Sequence, residues 1–321
     1  MKLTDFPRAV PRAAYSAVIN RIVETLVRQP GVRSIFQVGS VTNPGISDID
    51  FFVVFDDGAR CEVDPRAGLS TDEIYLVNHG LFGGSIAHFG EVQKFSFLHN
   101  YHLLWGEALP IAVSDLPPRD VATLKRQIAL EYLVKIYVDS VVEATYGISR
   151  VRGFLLHVKG ILYDLDFLGA GRCALRDVAE EWVARRDRWF ANPPSDTEIR
   201  SLLERFDTEL PRFIEEQFAA GPFYLPPGRE FAIAGNMTVA VGDDFGHEHR
   251  GVTLPAMLGA LGRRYFNIQH RFNSFRFKVP AKEAAQAPLL DARFRFLRRM
   301  KDYNRERLPC FMPAISSLQV V

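Results

Sequence analysis

IFQVGSVTNPGISDIDFFVVF, residues Ile35 to Phe55, is the stretch on which the reading of this chain turns. Ser34 to Val38 is a short apolar run that stops at Gly39-Ser40, the pattern of a strand ending in a tight turn. Asn43-Pro44-Gly45 supplies loop chemistry. Ile49 to Phe55 is β-branched and aromatic, interrupted only by Asp50, which predicts a largely buried strand stopped by Asp56-Asp57-Gly58. Two strands therefore flank a short glycine-containing loop.

Asp48 and Asp50 stand two residues apart at the start of the second strand, so extended backbone turns both toward one face. Two carboxylates side by side on an otherwise apolar strand are costly to bury without a cation, and a hard divalent metal, Mg²⁺ first, is the expected partner. Mg²⁺ is held by one or two carboxylates and leaves its other positions to water and substrate phosphates, the arrangement of phosphoryl- and nucleotidyl-transfer sites. Ser40 offers a hydroxyl, and the turn at Gly39 offers backbone N–H groups where a side chain would block the approach of a phosphate. The stretch reads as a phosphate cradle beside a metal site.

Gly39-Ser40, a short loop, and Ser47-Asp48-Ile49-Asp50 between apolar runs together resemble the motif of the DNA polymerase β-like nucleotidyltransferase superfamily. With helices following this segment, the chain looks like the stand-alone bacterial members, aminoglycoside nucleotidyltransferases among them. The resemblance implies that Asp48 and Asp50 bind the catalytic metals and that Gly39 and Ser40 contact the terminal phosphates of a nucleoside triphosphate, ATP being the first choice. It further implies transfer of an NMP group to a hydroxyl or phosphate of a small-molecule acceptor. The superfamily usually presents a third carboxylate on a later strand. The segment expected in that place, Glu91 to Phe97, has no aspartate in its middle, and Glu91 is the candidate, ahead of Glu62, Asp64 and Glu107. The loop between Ser40 and Asp48 is shorter than in the aminoglycoside-modifying members, so their acceptor is not carried over. Without a third carboxylate the module becomes a nucleotide-binding, regulatory or protein-interaction unit. A further alternative is RNA or oligonucleotide tailing along a basic C-terminal helix, Asp291 to Arg307.

Outward from this stretch, apolar residues at Ala14, Val18, Ile19, Ile22, Val23 and Leu26 predict an amphipathic helix over 12–27. Thr71 to His79 reads as a short helix capped by Ser70 or Thr71, and Val92 to Leu98 and Tyr101 to Trp105 as two strands. Past Pro117-Pro118 the pattern turns helical over 121–142, 151–168, 175–190 and 202–218. The second of these has the clearest stripe, through Val151, Phe154, Leu155, Val158, Ile161, Leu162 and Leu165. The last hundred residues read as mixed. The fold expectation is α/β (α+β): a small mixed-sheet nucleotidyltransferase module over 1–117, a helical bundle over 118–221 and a mixed C-terminal extension over 222–321, with the site in the cleft between the first two.

Among helical cations, Lys125, Lys135, Arg152 and Lys159, the last is the candidate for a phosphate contact because it borders the apolar stripe. His79, His88, His99 and His102 fall near the expected sheet, where one of them is a candidate for proton transfer. His247-Glu248-His249 reads as a surface loop, with metal binding as its alternative.

The 39 Lys+Arg balance 38 Asp+Glu to a formal net charge of +1, which gives no global electrostatic reason for a nucleic-acid or anionic-membrane partner. Cys61, Cys173 and Cys310 are far apart and lack metal-site spacing, which predicts reduced thiols in a cytoplasmic protein. No apolar run of signal-peptide or membrane-spanning length is present.

Overall fold

The stretch from Ile35 to Phe55 forms two antiparallel strands at the centre of a four-stranded sheet. The computed structural model describes residues 1–96, 100–111, 115–255, 257–258 and 263–321. These form two compact units, one of residues 8–121 and 292–315 with Val321, the other of residues 1–7, 122–291 and 316–320. The three segments expected from sequence are thus redistributed, because the C-terminal extension divides between the two units.

In the first unit the elements are α1 (Arg12–Leu26), β2 (Val32–Val38), β3 (Asp50–Phe55), α2 (Thr71–Leu76), β4 (Phe82–Ser85), α3 (Ile86–Ser96) and β5 (Tyr101–Gly106), joined by most of α9 (Pro288–Arg307). The strand order is β4-β3-β2-β5, with β3 antiparallel to β2, parallel to β4, and β5 antiparallel to β2.

Both faces of β3 are covered, which is why its sequence is a continuous apolar run rather than an alternation. Phe51, Val53 and Phe55 join Tyr15, Val18, Ile22 and Leu26 of α1 in one core. Phe52 faces the other way, its ring 5.4 Å from that of Phe89 on α3, which in turn lies 5.3 Å from both Phe36 and Tyr101. β4 reads Phe-Gly-Gly-Ser because C-terminal residues cross it closely. A Cβ on Gly83 would meet Phe311 at 3.0 Å, and one on Gly84 would meet the Met300 methyl at 2.8 Å. Asn304 of α9 donates to the Gly83 carbonyl at 2.8 Å, and α9 packs through Phe294, Phe296 and Leu297 while Arg295, Arg298 and Arg299 stay exposed.

One expected strand is a helix. Residues 92–96 belong to α3, whose buried Phe89, Val92 and Phe95 recur every third residue, a helical spacing that an alternation centred on Lys94 had concealed. Phe97 and Leu98 lie outside the described residues.

The second unit contains β1 (Lys2–Thr4) paired in parallel with β6 (Ile148–Arg150), and the helices α4 (Pro118–Thr145), α5 (Val151–Phe167), α6 (Ala174–Asp187) and α7 (Asp196–Ala220). The stripe read on α5 is its buried side: Val151, Leu155, Val158, Ile161 and Leu165 are inside, and the Phe154 ring centre lies 4.8 Å from those of both Trp182 of α6, tilted, and Phe206 of α7, edge-on. β7 (Tyr224–Leu225) pairs with β12 (Lys282–Glu283). A second four-stranded sheet contains β8 (Glu230–Ala234), β9 (Met237–Val241), β10 (Gly246–Gly251) and β11 (Asn273–Val279) in the order β10-β11-β9-β8. The segment 265–279 resisted a sequence reading because it holds two periods, the end of helix α8 (Arg263–Phe272) and then β11. The chain is therefore a mixed α+β protein, and among the described residues no helix is long and apolar enough to cross a membrane.

Candidate metal centre

Asp48 lies in the loop two residues before β3 and Asp50 opens the strand. Between them Ile49 is buried against α1 and α2, so the alternation of extended backbone leaves both half-buried carboxylates on the opposite side.

The loop from Val41 to Ser47 and the residues after it are stapled by two helices, α1 and α2, and this fixes where Asp48 emerges. The Tyr15 hydroxyl donates to the Ser47 carbonyl at 2.8 Å and accepts from the Gly45 N–H at 2.8 Å. The Tyr75 hydroxyl donates to the Gly45 carbonyl at 2.6 Å. Ile49 N–H donates to the Leu76 carbonyl at 2.8 Å, tying the loop to the end of α2, which begins in a Ser70–Glu73 capping box. The Arg12 guanidinium donates to the carbonyls of Val41 and Thr42 at 3.1 and 3.4 Å, so α1 presents a cation at this loop.

The third member of the site is His79, from the segment between α2 and β4. Its Nε2 lies 2.7 Å from Asp50 Oδ1, and single ligand atoms of Asp48, Asp50 and His79 all fall within 4.8 Å of one another. The Nδ1 lies 2.6 Å from the Gly80 carbonyl. Burial disfavours a charged ring here, but the Asp50 carboxylate, the Gly80 carbonyl and the Asp48 charge outweigh it and push the His79 pKa up to about 9. The ring thus spans the Asp50 carboxylate on its Nε2 side and the Gly80 carbonyl on its Nδ1 side, an arrangement that favours the protonated form. A divalent cation held by the three groups would take the place of the Nε2 proton. Among the described residues no other group of three His, Cys, Asp or Glu side chains converges in this way.

The donor set fits a divalent cation, whereas the fit to a triphosphate is narrower than the sequence implied. Gly39 does have a left-handed backbone, φ 72°, which favours glycine, but its N–H donates to the Asn100 carbonyl at 2.8 Å and is not available to a phosphate. A Cβ at residue 39 would meet no atom within 4 Å, so the glycine serves the turn's geometry rather than a close approach within the chain. Ser40 is exposed beside this turn.

The remaining candidates lie elsewhere. Glu91 is on α3, not on a strand, and pairs with Arg299 of α9 at 3.4 Å; it is not part of the converging group. The later strand that runs parallel to β3 is β4, whose sequence Phe82-Gly83-Gly84-Ser85 contains no carboxylate. Glu107 pairs with Arg33 at 3.4 Å, Asp64 caps the turn at Arg66, and the Glu62 carbonyl accepts from the Cys310 thiol. Lys159 belongs to the other compact unit, where its ammonium lies 5.8 Å from the Tyr163 ring centre. His88 faces Ser85 at 3.2 Å and burial lowers its pKa; His102 is exposed on β5; His99 lies outside the described residues. His247 and His249 share a face of β10, a strand rather than the expected loop, and bond Tyr137 and Asn273 at 2.8 Å each.

Sequence reading placed His79 near the sheet but not in the metal group, and it missed Arg12, Tyr15 and Tyr75. No spacing relates His79 to Asp48, because the relation arises only from the parallel pairing of β4 with β3. Comparison with protein-family models, curated proteins and solved structures finds no match to this chain.

Proposed function

We propose that this protein is a divalent-cation-dependent nucleotidyltransferase that moves an NMP group from a nucleoside triphosphate to a hydroxyl or phosphate of a small acceptor, with pyrophosphate leaving. The observation that carries this reading is the convergence of Asp48 and Asp50 at the mouth of β3, next to the Gly39-Ser40 turn that ends the neighbouring antiparallel strand. Asp48 and Asp50 hold the cation, Ser40 bonds a terminal phosphate oxygen, and Arg12 supplies positive charge at the same loop. A bound divalent cation supplies charge neutralisation and alignment of the phosphates for in-line displacement.

The test is pyrophosphate release from each of the four NTPs with Mg²⁺ or Mn²⁺ and a panel of hydroxyl and phosphate acceptors. Release that Asp48→Asn abolishes supports the reading. Absence of release with every acceptor, despite nucleotide binding, favours a second reading, a nucleotide-binding module without turnover. Two observations favour that alternative: β4 lacks a carboxylate, and Glu91 is engaged with Arg299.

A further inference from the structure

The third position of the metal centre is an imidazole, and this bears on which cation the site takes. We propose that Asp48, Asp50 and His79 form a two-carboxylate, one-imidazole site that binds a first-row transition dication in preference to Mg²⁺, with His79 Nε2 as the third ligand. The inference rests on the reading of Asp48 and Asp50 as a metal-holding pair, and it concerns only the identity of the cation and of the third ligand.

Three features carry it. The first is the donor set: Mg²⁺ is satisfied by oxygen, dehydrates reluctantly and gains little from an imidazole, whereas Mn²⁺ accepts carboxylates and imidazole together and the later ions favour nitrogen more strongly. The second is orientation. Metal-bound histidines almost always donate their other ring N–H to a carbonyl or carboxylate, and here His79 Nδ1 is 2.6 Å from the Gly80 carbonyl, leaving Nε2 directed at Asp50 Oδ1.

The third feature is rigidity. The ring lies 5.3 Å from that of Phe82, and a Cβ on Gly80 would meet Met312 at 3.0 Å, so residues 79–82 run tightly under the C-terminal segment. Met312 N–H donates to the Leu81 carbonyl at 2.8 Å and its carbonyl accepts from Gly83 N–H at 3.0 Å, completing the clamp. When the ion enters, the Nε2–H to Asp50 hydrogen bond is replaced by an Nε2–metal bond, and the proton leaves to solvent.

The experiment uses the full chain freed of metal by chelation, with Mn²⁺ as probe and Mg²⁺ as competitor. Bound Mn²⁺ is followed by electron paramagnetic resonance, and pulsed measurements on protein carrying ¹⁴N- or ¹⁵N-histidine read direct nitrogen coupling without any substitution. The expected result is one histidine nitrogen coupled to Mn²⁺ and Mn²⁺ bound more tightly than Mg²⁺. In His79→Ala the coupling should vanish and Mn²⁺ affinity should fall about tenfold or more, since even an outer partner of a ligand is worth 10–100-fold. The Mg²⁺ affinity should change much less.

Bound Mn²⁺ with no nitrogen coupling, or an equal loss of both ions in His79→Ala, overturns the inference while leaving the Asp48/Asp50 reading in place. Failure of Mn²⁺ and Mg²⁺ alike to bind the wild type overturns both. Should His79→Ala fold poorly by circular dichroism, His79→Gln and the isotope measurement on the wild type decide the matter.

Discussion

Asp48-Ile49-Asp50 and Asp164-Leu165-Asp166 share a sequence pattern, and the fold gives them opposite chemistry. In both, the middle residue is in a core, Ile49 against α1 and Leu165 in the α5 stripe. In the first, extended backbone returns both carboxylates to one side, where they meet His79. In the second, α-helical backbone turns residues two apart far from each other around the axis. Asp166 reaches solvent and pairs with Arg176 at 2.7 Å, while Asp164 is buried with one oxygen lacking any partner, and burial alone pushes its pKa up to about 9. Paired carboxylates need a shared face as well as a spacing, and secondary structure decides whether they have one.

The strongest way to break this comparison is to remove one carboxylate from each pair. Asp50→Asn should lose Mn²⁺ binding in equilibrium dialysis, and Asp166→Asn should retain it in full. Equal retention would dissolve the contrast.

Next in size are the middle residues. Ile49→Ala and Leu165→Ala should each destabilise by about 2–5 kcal/mol in denaturant unfolding, because both delete buried methyl groups from packed cores. Leu165→Ala should leave metal affinity unchanged.

Asp164 sharpens the comparison through pH. Its folded pKa lies above its unfolded value, so between roughly pH 4 and pH 9 the native state keeps a proton that the unfolded chain gives up. Its contribution is therefore fully present at low pH and is lost as pH rises through that window. Asp164→Asn removes this dependence, so its stability relative to wild type should rise by about 1.4 kcal/mol per pH unit across the window. Thermal melts at pH 5 and pH 8 read the difference. Parallel melting curves at both pH values would mean that the carboxyl finds a partner or water.

The smallest effect is expected at Asp166. Asp166→Asn should change stability by less than about 1 kcal/mol, since its partner Arg176 also donates to the Ala170 carbonyl and the Asp166 carboxylate itself is largely solvated.

The opening helix, α5 and α7 were legible because each has one dominant period, and β3 because it is an unbroken apolar run between turn signals. The segment after His88 was misread because Phe89, Val92 and Phe95 keep helical spacing while Lys94 and Ser96 alternate in the sequence with Phe95 and Phe97. The carboxylate pair could be read from two adjacent positions, yet its third partner could not: His79 reaches Asp50 only because β4 pairs in parallel with β3, a long-range fact. Likewise Gly39 was legible as a turn residue, while the use of its N–H by Asn100 depends on β5 lying beside β2.

The measurement that tests the central claim most directly is calorimetric titration of the four NTPs, with and without a divalent cation, into wild type and Asp48→Asn. The account predicts nucleotide binding that requires the cation and disappears in Asp48→Asn. Binding that is indifferent to both the cation and the substitution, or no binding under any metal condition, would contradict it.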